Sequence, residues 1–309
     1  MKHAGLLSCF VIMITNVIAQ EEFKFKPRYI NVLGSEMHYV EEGKGDPILL
    51  IHGNPASSYI WRNMIGQLSK HGRVIAVDLI GMGKSGKPNI EYSFLDHFRY
   101  LETFIEKMNL TNITLVMHDW GSALGFTYAM RNESRVKRMA FFEALITPLP
   151  PLDQWPQKSK DAFTLYRTPD KGWDAIVNQN DFVEVRMQEG TIRKLTEAEL
   201  KEYRKPFKNL DSRKPLWKWP NEIPIEGKPA EVHIVQMDFI EFLKRSEIPK
   251  LLIFAEPGVL TPTPIVHWCK ENLPNLETQL IGKGLHNLQE DDPEKLNTIL
   301  IGWITGGNK

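Results

Sequence analysis

The chain is poor in cysteine and carries no excess of charge of either sign. Cys9 and Cys269 are the only two cysteines in 309 residues, which excludes a disulfide framework and a zinc site with four cysteine ligands. The formal net charge is zero, so charge gives no reason to expect a nucleic acid or an anionic membrane as a partner. The 42% hydrophobic content excludes a collagen-like, disordered or wholly membrane-embedded chain.

The first residues have the composition of a processing signal. Met1-Lys2-His3 is weakly basic, residues 4–19 are almost wholly apolar, and polar residues follow. This pattern predicts a secretory signal peptide over residues 1–19. The apolar run is shorter than the about 20 residues of a membrane span, although an uncleaved anchor is the alternative. We therefore expect a secreted protein with no membrane contact after signal removal and with Cys269 as its single thiol.

Three glycosylation sequons agree with a secretory route. They are Asn109-Leu-Thr, Asn112-Ile-Thr and Asn132-Glu-Ser, and each is an acceptor pattern for an N-linked glycan. Such triplets also occur by chance. Asn109 and Asn112 lie in a polar connection before an apolar run, where a glycan is tolerated.

Short apolar runs alternate with segments of helical pattern. Continuous apolar runs of this length predict strands that are buried on both faces, and therefore a mostly parallel sheet. The alternation indicates an α/β fold with helices on both faces of that sheet. The predicted strands are residues 47–51, 73–78, 113–117, 137–142, 250–254 and 278–281, and the clearest helices are residues 95–108 and 122–131.

Residues 146–232 interrupt this alternation. They begin with a proline-rich stretch, continue with helix-like segments and contain no strong buried strand. We interpret them as a helical cap over the carboxyl edge of the sheet, where ligands bind in open α/β folds. The core is then formed by residues 20–145 and 233–309.

The segment Met117-His118-Asp119-Trp120-Gly121 leads from a predicted strand through a tight turn into a predicted helix. Its layout is that of the nucleophile elbow Gly-x-Ser-x-Gly, with Asp119 in place of the serine and Met117 in place of the first glycine. An aspartate here can act as a carboxylate nucleophile that forms an ester with an alkyl group. The N-terminus of the following helix favours its charged form. The alternative is that Asp119 only caps that helix.

Gly284-Leu285-His286 lies late in the chain. His286 can be the base that activates water to hydrolyse the ester, because the unperturbed pKa of histidine is about 6.5. Such a base is held by a carboxylate. Glu143 and Glu256 both close predicted strands, and the order nucleophile, acid, histidine fits an α/β-hydrolase with either one. The residues alone leave this choice open.

The loop His52-Gly53-Asn54-Pro55 follows an early predicted strand. In this fold the corresponding loop supplies one backbone N–H of the oxyanion hole, and the residue after the nucleophile supplies the other. Here these residues are Asn54 and Trp120. The amide side chain of Asn54 and the indole of Trp120 can also donate to a leaving anion.

Together these motifs resemble the haloalkane dehalogenases and, in the same family, the coelenterazine-using luciferases of the Renilla type. The likeness covers about residues 25–305, including the predicted cap. The segments that carry it are residues 52–63, 78–85, 118–126, 256–261 and 284–291.

The resemblance implies the role of each site residue. Asp119 would be the nucleophile, His286 the base and Glu143 its acid partner, which decides against Glu256. Asn54 and Trp120 would bind the released halide. In a dehalogenase the substrate is a small alkyl halide, the product is an alcohol, and no metal or organic cofactor is needed.

The resemblance also implies a substrate pocket under the cap. Asn287 departs from the family, in which phenylalanine usually follows the histidine, and this makes the expected pocket more polar. The segment 256–261 and Pro55 look like the dehalogenases, whereas Trp155 followed by Pro156 looks more like the luciferase. The expected pocket residues are Trp155, Asp161, Phe182, Pro220, Ile223, Val259, Leu260 and Asn287.

Dehalogenation is the predicted function, and three alternatives remain. A luciferase would hold coelenterazine in the same pocket and react it with O2, and the secretory features favour this alternative. An epoxide hydrolase would use cap tyrosines such as Tyr166 and Tyr203 to activate its substrate. A catalytically silent binding protein is disfavoured because Asp119, His286 and Glu143 are all present. The sequence does not predict the oligomeric state.

Overall fold

The computed structural model describes residues 23–306, and the predicted signal peptide, residues 1–19, lies outside the described residues. The centre of the molecule is an eight-stranded sheet. Its strands are β1 (Arg28–Val32), β2 (Ser35–Glu42), β3 (Pro47–Ile51), β4 (Arg73–Val77), β5 (Ile113–Asp119), β6 (Val136–Ala144), β7 (Lys250–Pro257) and β8 (Leu276–Gly284).

The strand order is β1-β2-β4-β3-β5-β6-β7-β8. All neighbours from β4 to β8 are parallel, which confirms the predicted mostly parallel sheet. The antiparallel strands β1 and β2 were not predicted. β1 is largely exposed, and β2 is buried only in its middle, so neither presents the continuous apolar run that identified the other strands.

Helices cover both faces of the sheet. The helix predicted at residues 95–108 is observed at Phe94–Lys107, and it begins with a capping box in which Ser93 and Asp96 satisfy each other's backbone N–H groups. The described residues form no helix that is long and apolar enough to cross a bilayer. The helices are α1 (Arg62–Leu68), α2 (Phe94–Lys107), α3 (Trp120–Arg131), α4 (Gln157–Tyr166), α5 (Pro169–Trp173), α6 (Met187–Glu189), α7 (Glu197–Arg204), α8 (Lys214–Glu222), α9 (Ala230–Arg245), α10 (Thr263–Asn272), α11 (Leu288–Asp291) and α12 (Pro293–Thr305).

Each face of the sheet has its own apolar core. Leu49 and Ile51 of β3 face the core built with α2, α3 and α9, whereas Ile48 and Leu50 face the core built with α1 and α12. This alternation follows the two-residue period of a strand. Cys269 on α10 is buried, and burial raises the pKa of its thiol to about 12.

The chain between β6 and β7 forms helices α4 to α9 and the loops that connect them, with an isolated bridge between Ile225 and Lys228. Helices α4 to α8 lie in the segment that the sequence assigns to the cap. The predicted cap boundary at residue 232 falls inside α9, which packs on α3 of the core. The rings of Phe239 on α9 and Phe126 on α3 are 5.6 Å apart.

Buried ion pairs join the core to α7. Arg62 of α1 donates to Glu290 of α11 at 2.6 Å and to Glu199 of α7 at 2.7 Å. Arg193 bonds to the same two carboxylates. Two cations and two carboxylates therefore balance, so removing one partner would leave an uncompensated buried charge.

Candidate active site

Asp119 stands at the turn from β5 into α3 with φ 53° and ψ −131°. A non-glycine residue adopts a positive φ only where its surroundings enforce it. Small neighbours make the turn feasible. A Cβ at Gly121 would overlap the Ile51 carbonyl, and one at Gly53 would overlap the Asp119 carboxylate.

Gly125 explains how Met117 fits where the elbow pattern has glycine. A Cβ at Gly125 would overlap the sulfur of Met117, so the missing side chain on α3 supplies the room. Gly121 and Gly125 are four residues apart and therefore share one face of the helix. The four-residue spacing of the two glycines can be read from the sequence, but the contact between Gly125 and Met117 of β5 cannot.

The Asp119 carboxylate is held by backbone donors. Its Oδ1 accepts the Asn54 N–H at 2.8 Å, and the Trp120 N–H also donates to the carboxylate. Burial raises the pKa of Asp119, and the neighbouring His286 together with these two N–H groups partly opposes that rise. The structure thus brings the backbone N–H groups of both predicted oxyanion-hole residues to the candidate nucleophile.

His286 lies between two carboxylates. Its Nδ1 is 3.2 Å from Glu143 Oε2, and its Nε2 is 3.6 Å from Asp119 Oδ2. Because Glu143 is an acceptor, the neutral ring carries its proton on Nδ1 and leaves the Nε2 lone pair free. Burial acts to lower the pKa of His286, but the hydrogen bond to Glu143 and the charges of Asp119 and Glu143 outweigh it, so the pKa is raised.

Glu143 is the acid that reaches His286. It lies near the end of β6 at φ 44° and is completely buried. Its carboxylate accepts the N–H of Val259 at 3.0 Å, the N–H of Leu260 at 2.7 Å and the hydroxyl of Thr261 at 3.2 Å. Glu256 is exposed on β7. The geometry therefore favours Glu143 in the choice that the residues left open.

The His286 loop is docked on the segment from α6 to Thr191. The N–H groups of His286 and Asn287 donate to the Gly190 carbonyl at 3.0 and 2.7 Å. The Asn287 side chain donates to the Thr191 hydroxyl at 3.1 Å and to the Met187 carbonyl at 3.2 Å. The asparagine that departs from the family pattern thus binds this loop to the segment between β6 and β7.

His118 on β5 contacts the same loop through its imidazole ring. Its ring is 4.5 Å from that of His286, and its Nε2 is 2.9 Å from the His286 carbonyl. Burial lowers the pKa of His118 well below its usual value. His118 is therefore a neutral donor to the backbone and does not compete with His286 for a proton.

The other expected pocket residues lie in varied surroundings. Asp161 is exposed on α4, where it accepts a hydrogen bond from Gln157. Val259 is 49% exposed and contacts Glu143, as Leu260 does, through its backbone. Trp155 is half-buried against Phe163. Phe182, Pro220 and Ile223 are buried.

A cavity of about 10 Å³ lies against Trp120. Of the predicted site residues only Trp120 lines it. Gln236, which interrupts the apolar face of α9, also lines it and was not predicted as a site residue. The lining residues are Phe94, Trp120, Ala123, Leu145, Pro224, Val232, Gln236 and Phe239.

The two cap tyrosines that an epoxide hydrolase would require are bound elsewhere. The Tyr166 hydroxyl donates to Asp181 and the Tyr203 hydroxyl donates to Glu290. Neither hydroxyl is free to activate an epoxide oxygen in this arrangement.

The comparisons with known proteins agree with the geometry. The α/β-hydrolase fold family matches residues 46–293. A haloalkane dehalogenase of Sphingobium indicum is 40% identical over 90% of this chain and 94% of its own length. One from Mesorhizobium japonicum is 39% identical over 90% of this chain and 91% of its own.

The solved structures that this chain resembles are also haloalkane dehalogenases. The crystal structure of a haloalkane dehalogenase from Bradyrhizobium elkani has a TM-score of 0.89 at 37% identity, covering 91% of this chain and 98% of that one. These relatives give no support to the luciferase alternative. The fold, the elbow and the relatives agree, and the chain belongs to the haloalkane dehalogenase family of the α/β-hydrolase superfamily.

Proposed function

We propose that the protein is a haloalkane dehalogenase, which converts an alkyl halide and water into an alcohol, a halide ion and a proton. One observation carries this function. The elbow holds a carboxylate whose Oδ1 accepts the Asn54 N–H and whose Oδ2 faces the free nitrogen of His286. A carboxylate in this position can form an alkyl ester, and the histidine can then direct water onto that ester.

In the first step Asp119 Oδ2 attacks the carbon that bears the halogen. A C–O bond forms, the C–halogen bond breaks, and the halide leaves with the bonding electrons. Asn54 and Trp120 lie beside Asp119, and their side-chain N–H groups are the proposed donors to the departing anion.

In the second step His286 Nε2 takes a proton from water, and the water oxygen attacks the carboxyl carbon of Asp119. Negative charge then develops on Oδ1, which already accepts the Asn54 N–H, and the Trp120 N–H also donates to this carboxyl group. Collapse of this intermediate breaks the bond between the carboxyl carbon and Oδ2, and the departing alkoxide takes the proton from His286 and leaves as the alcohol. The carboxyl group of Asp119 then loses the second proton of the water to solvent, which restores the carboxylate.

Ester formation also prepares the base. The charge of Asp119 helps to raise the pKa of His286 in the free enzyme. The ester removes that charge, so the pKa of His286 falls at the stage when the ring must be neutral. Esterification of Asp119 thus favours the neutral form of His286, which is the form that accepts a proton from water.

The test is bromide release from 1-bromobutane or 1,2-dibromoethane by purified protein that lacks residues 1–19. We expect bromide and alcohol in equal amounts. A rate no higher than that of an Asp119→Ala variant would overturn the proposal. Coelenterazine in air on the same preparation is the counter-test, since sustained light without bromide release would favour a luciferase.

We further propose that the protein is secreted and glycosylated. The apolar pattern of residues 1–19 and the sequons support this. Asn109 and Asn112 are exposed in the connection between α2 and β5, whereas Asn132 is half-buried. Expression in animal cells should place the protein in the medium, and enzymatic deglycosylation should increase its gel mobility. Retention in cells without a mobility shift would contradict both parts.

A further inference from the structure

The side-chain amide of Asn54 is oriented by helix α8. Asn54 Nδ2 donates to the Leu216 carbonyl at 3.4 Å, whereas Asn54 Oδ1 is buried without a hydrogen-bond partner among residues 23–306. The two ends of an amide have nearly the same shape, so their hydrogen bonds decide which end faces which way. Because a carbonyl can only accept, the Leu216 oxygen holds the NH2 end of Asn54 toward itself.

The Leu216 carbonyl is free to accept this bond because of Pro220. Both residues lie within α8 (Lys214–Glu222), and Pro220 is inside the helix. In an α-helix the carbonyl of one residue accepts the N–H of the residue four positions later. Proline has no N–H to donate, so the Leu216 carbonyl lacks its regular helical donor and can bind Asn54 instead.

Helix α8 also contacts the second residue that the proposed function assigns to the halide. The ring of Trp219 is 4.6 Å from that of Trp120. The same Trp219 ring is stacked on His97 of α2 at 4.1 Å, which fixes it against the core. One turn of α8 therefore contacts Asn54 through a carbonyl and Trp120 through an aromatic ring.

We propose that the Leu216 carbonyl, freed by Pro220, is a positioning group that directs the NH2 group of Asn54 at the departing halide. One hydrogen of the NH2 group binds Leu216 and the other faces the anion, while Oδ1, which would repel the anion, is turned away. The inference rests on the proposed dehalogenase function. It adds to the reaction a main-chain group from the segment that was predicted to form the cap.

The test restores the missing helical donor with Pro220→Ala. The new N–H competes for the Leu216 carbonyl and releases the Asn54 amide. We expect the Kd of bromide to rise about tenfold and the rate of ester formation to fall about tenfold. The rate of ester hydrolysis should stay within about twofold, because that step uses His286 and releases no halide.

Two measurements separate these effects. Rapid-quench single turnovers with 1-bromobutane report ester formation as bromide and hydrolysis as 1-butanol. The Kd of bromide comes from fluorescence quenching, with Trp120→Phe as the blank. A general loosening of the fold would slow both steps, whereas the proposed role slows only the first.

Two further variants isolate the carbonyl. Pro215→Ala is the matched control, because Pro215 is also a buried proline of α8 but lies in the first turn, where an added N–H cannot reach the Leu216 carbonyl. It should leave every value within about twofold. L-lactic acid in place of Pro220 removes the ring and still provides no N–H, so it should restore the parental bromide affinity.

An unchanged Kd of bromide in Pro220→Ala would overturn the inference. A loss that the lactic acid variant shares would also overturn it, since the ring of Pro220 and not the free carbonyl would then be responsible. If Pro220→Ala does not fold, the lactic acid variant decides alone, because parental bromide affinity upholds the inference and weakened affinity overturns it.

Failure of the proposed function looks different, since the parent protein would then release no bromide from 1-bromobutane. Bromide binding decides the inference in that event. Binding by the parent protein that weakens in Pro220→Ala upholds the role of the Leu216 carbonyl, and a parent protein that binds no bromide overturns it.

Discussion

The neighbouring strands β5 and β6 both have a carboxylate residue with a positive φ at their carboxyl end, but the two carboxylates have different surroundings. Each carries a carboxylate at positive φ, Asp119 at 53° and Glu143 at 44°. Glu143 is completely buried, and both of its oxygens accept hydrogen bonds from residues 259–261. Asp119 Oδ1 accepts the Asn54 N–H, and Asp119 Oδ2 faces His286. The donors around each carboxylate thus support the proposed roles, in which Asp119 reacts and Glu143 orients the base.

Removing the reactive carboxylate should have the largest effect. Asp119→Ala eliminates the carboxylate that we propose attacks the substrate carbon, and we expect bromide release to fall about 10⁴-fold or more. Halide release under saturating bromoalkane measures this. Substantial turnover in the variant would mean that Asp119 and Glu143 have been given the wrong roles.

Removing the base should separate the two steps. His286→Phe leaves Asp119 able to form the ester but removes the group that activates water, so one bromide should be released per protein before turnover stops. Intact-mass spectrometry should then show the added alkyl group. An unmodified mass after long incubation would contradict the two-step route.

Changing the orienting carboxylate should have an intermediate effect. In Glu143→Gln the amide NH2 must face either the N–H donors of Val259 and Leu260 or the Nδ1 proton of His286, so the ring loses its fixed tautomer. We expect kcat to fall on the order of a thousandfold, because Glu143 acts through His286 in ester hydrolysis. Glu256→Gln is the matched control and should leave kcat within about twofold of the parent value, because Glu256 is exposed. The reverse ranking would transfer the role to Glu256.

The dependence of the rate on pH also distinguishes Asp119 from Glu143, with a smaller expected effect than the substitutions above. Ester formation requires an ionised Asp119, whose pKa is raised by burial, and ester hydrolysis requires a neutral His286, whose pKa Glu143 helps to raise. We therefore expect the acidic limb of kcat/KM to lie above the ordinary aspartate pKa of about 3.9, and the acidic limb of kcat to report His286 in the ester, with a tenfold loss per pH unit below each limb. Glu143→Gln should move the limb of kcat to lower pH, and a limb that stays in place would show that Glu143 does not face the titrating ring.

The smallest expected effect concerns how Asp119 is held. Gly125→Ala introduces a methyl group against Met117, and we expect the free energy of unfolding to fall by about 1–3 kcal/mol, with little change at the Glu143 strand end. Denaturant unfolding measures the loss. The double variant Met117→Ala with Gly125→Ala should recover part of it, and an additive further loss would show that the two side chains do not share the space.

Much of this arrangement could be predicted from residues alone. The parallel strands were predictable because each is a short continuous apolar run, and Asp119 and His286 were identified by the turn and glycine patterns around them. β1 and β2 were missed because neither has such a run, since β1 is largely exposed and β2 is buried only in its middle.

The remaining features depend on contacts between distant segments. Glu143 and Glu256 both close strands, and only the loop after β7 shows which carboxylate is enclosed by N–H donors. Gly125 gains its importance from Met117 on another element. Gln236 looks like an interruption of an apolar helix face until the cavity beside Trp120 is seen.

The shared carbonyl of Gly190 limits how this enzyme can be re-engineered. The backbone N–H groups of His286 and Asn287 both donate to it. The position of His286 therefore depends partly on the segment around Gly190, which lies in the region that a designer would exchange to alter the substrate range. Grafting that segment from a relative would therefore also shift the His286 imidazole. Chimeras should therefore retain residues 187–191 of the recipient, and variation confined to other parts of the cap should change selectivity while preserving the rate of ester hydrolysis.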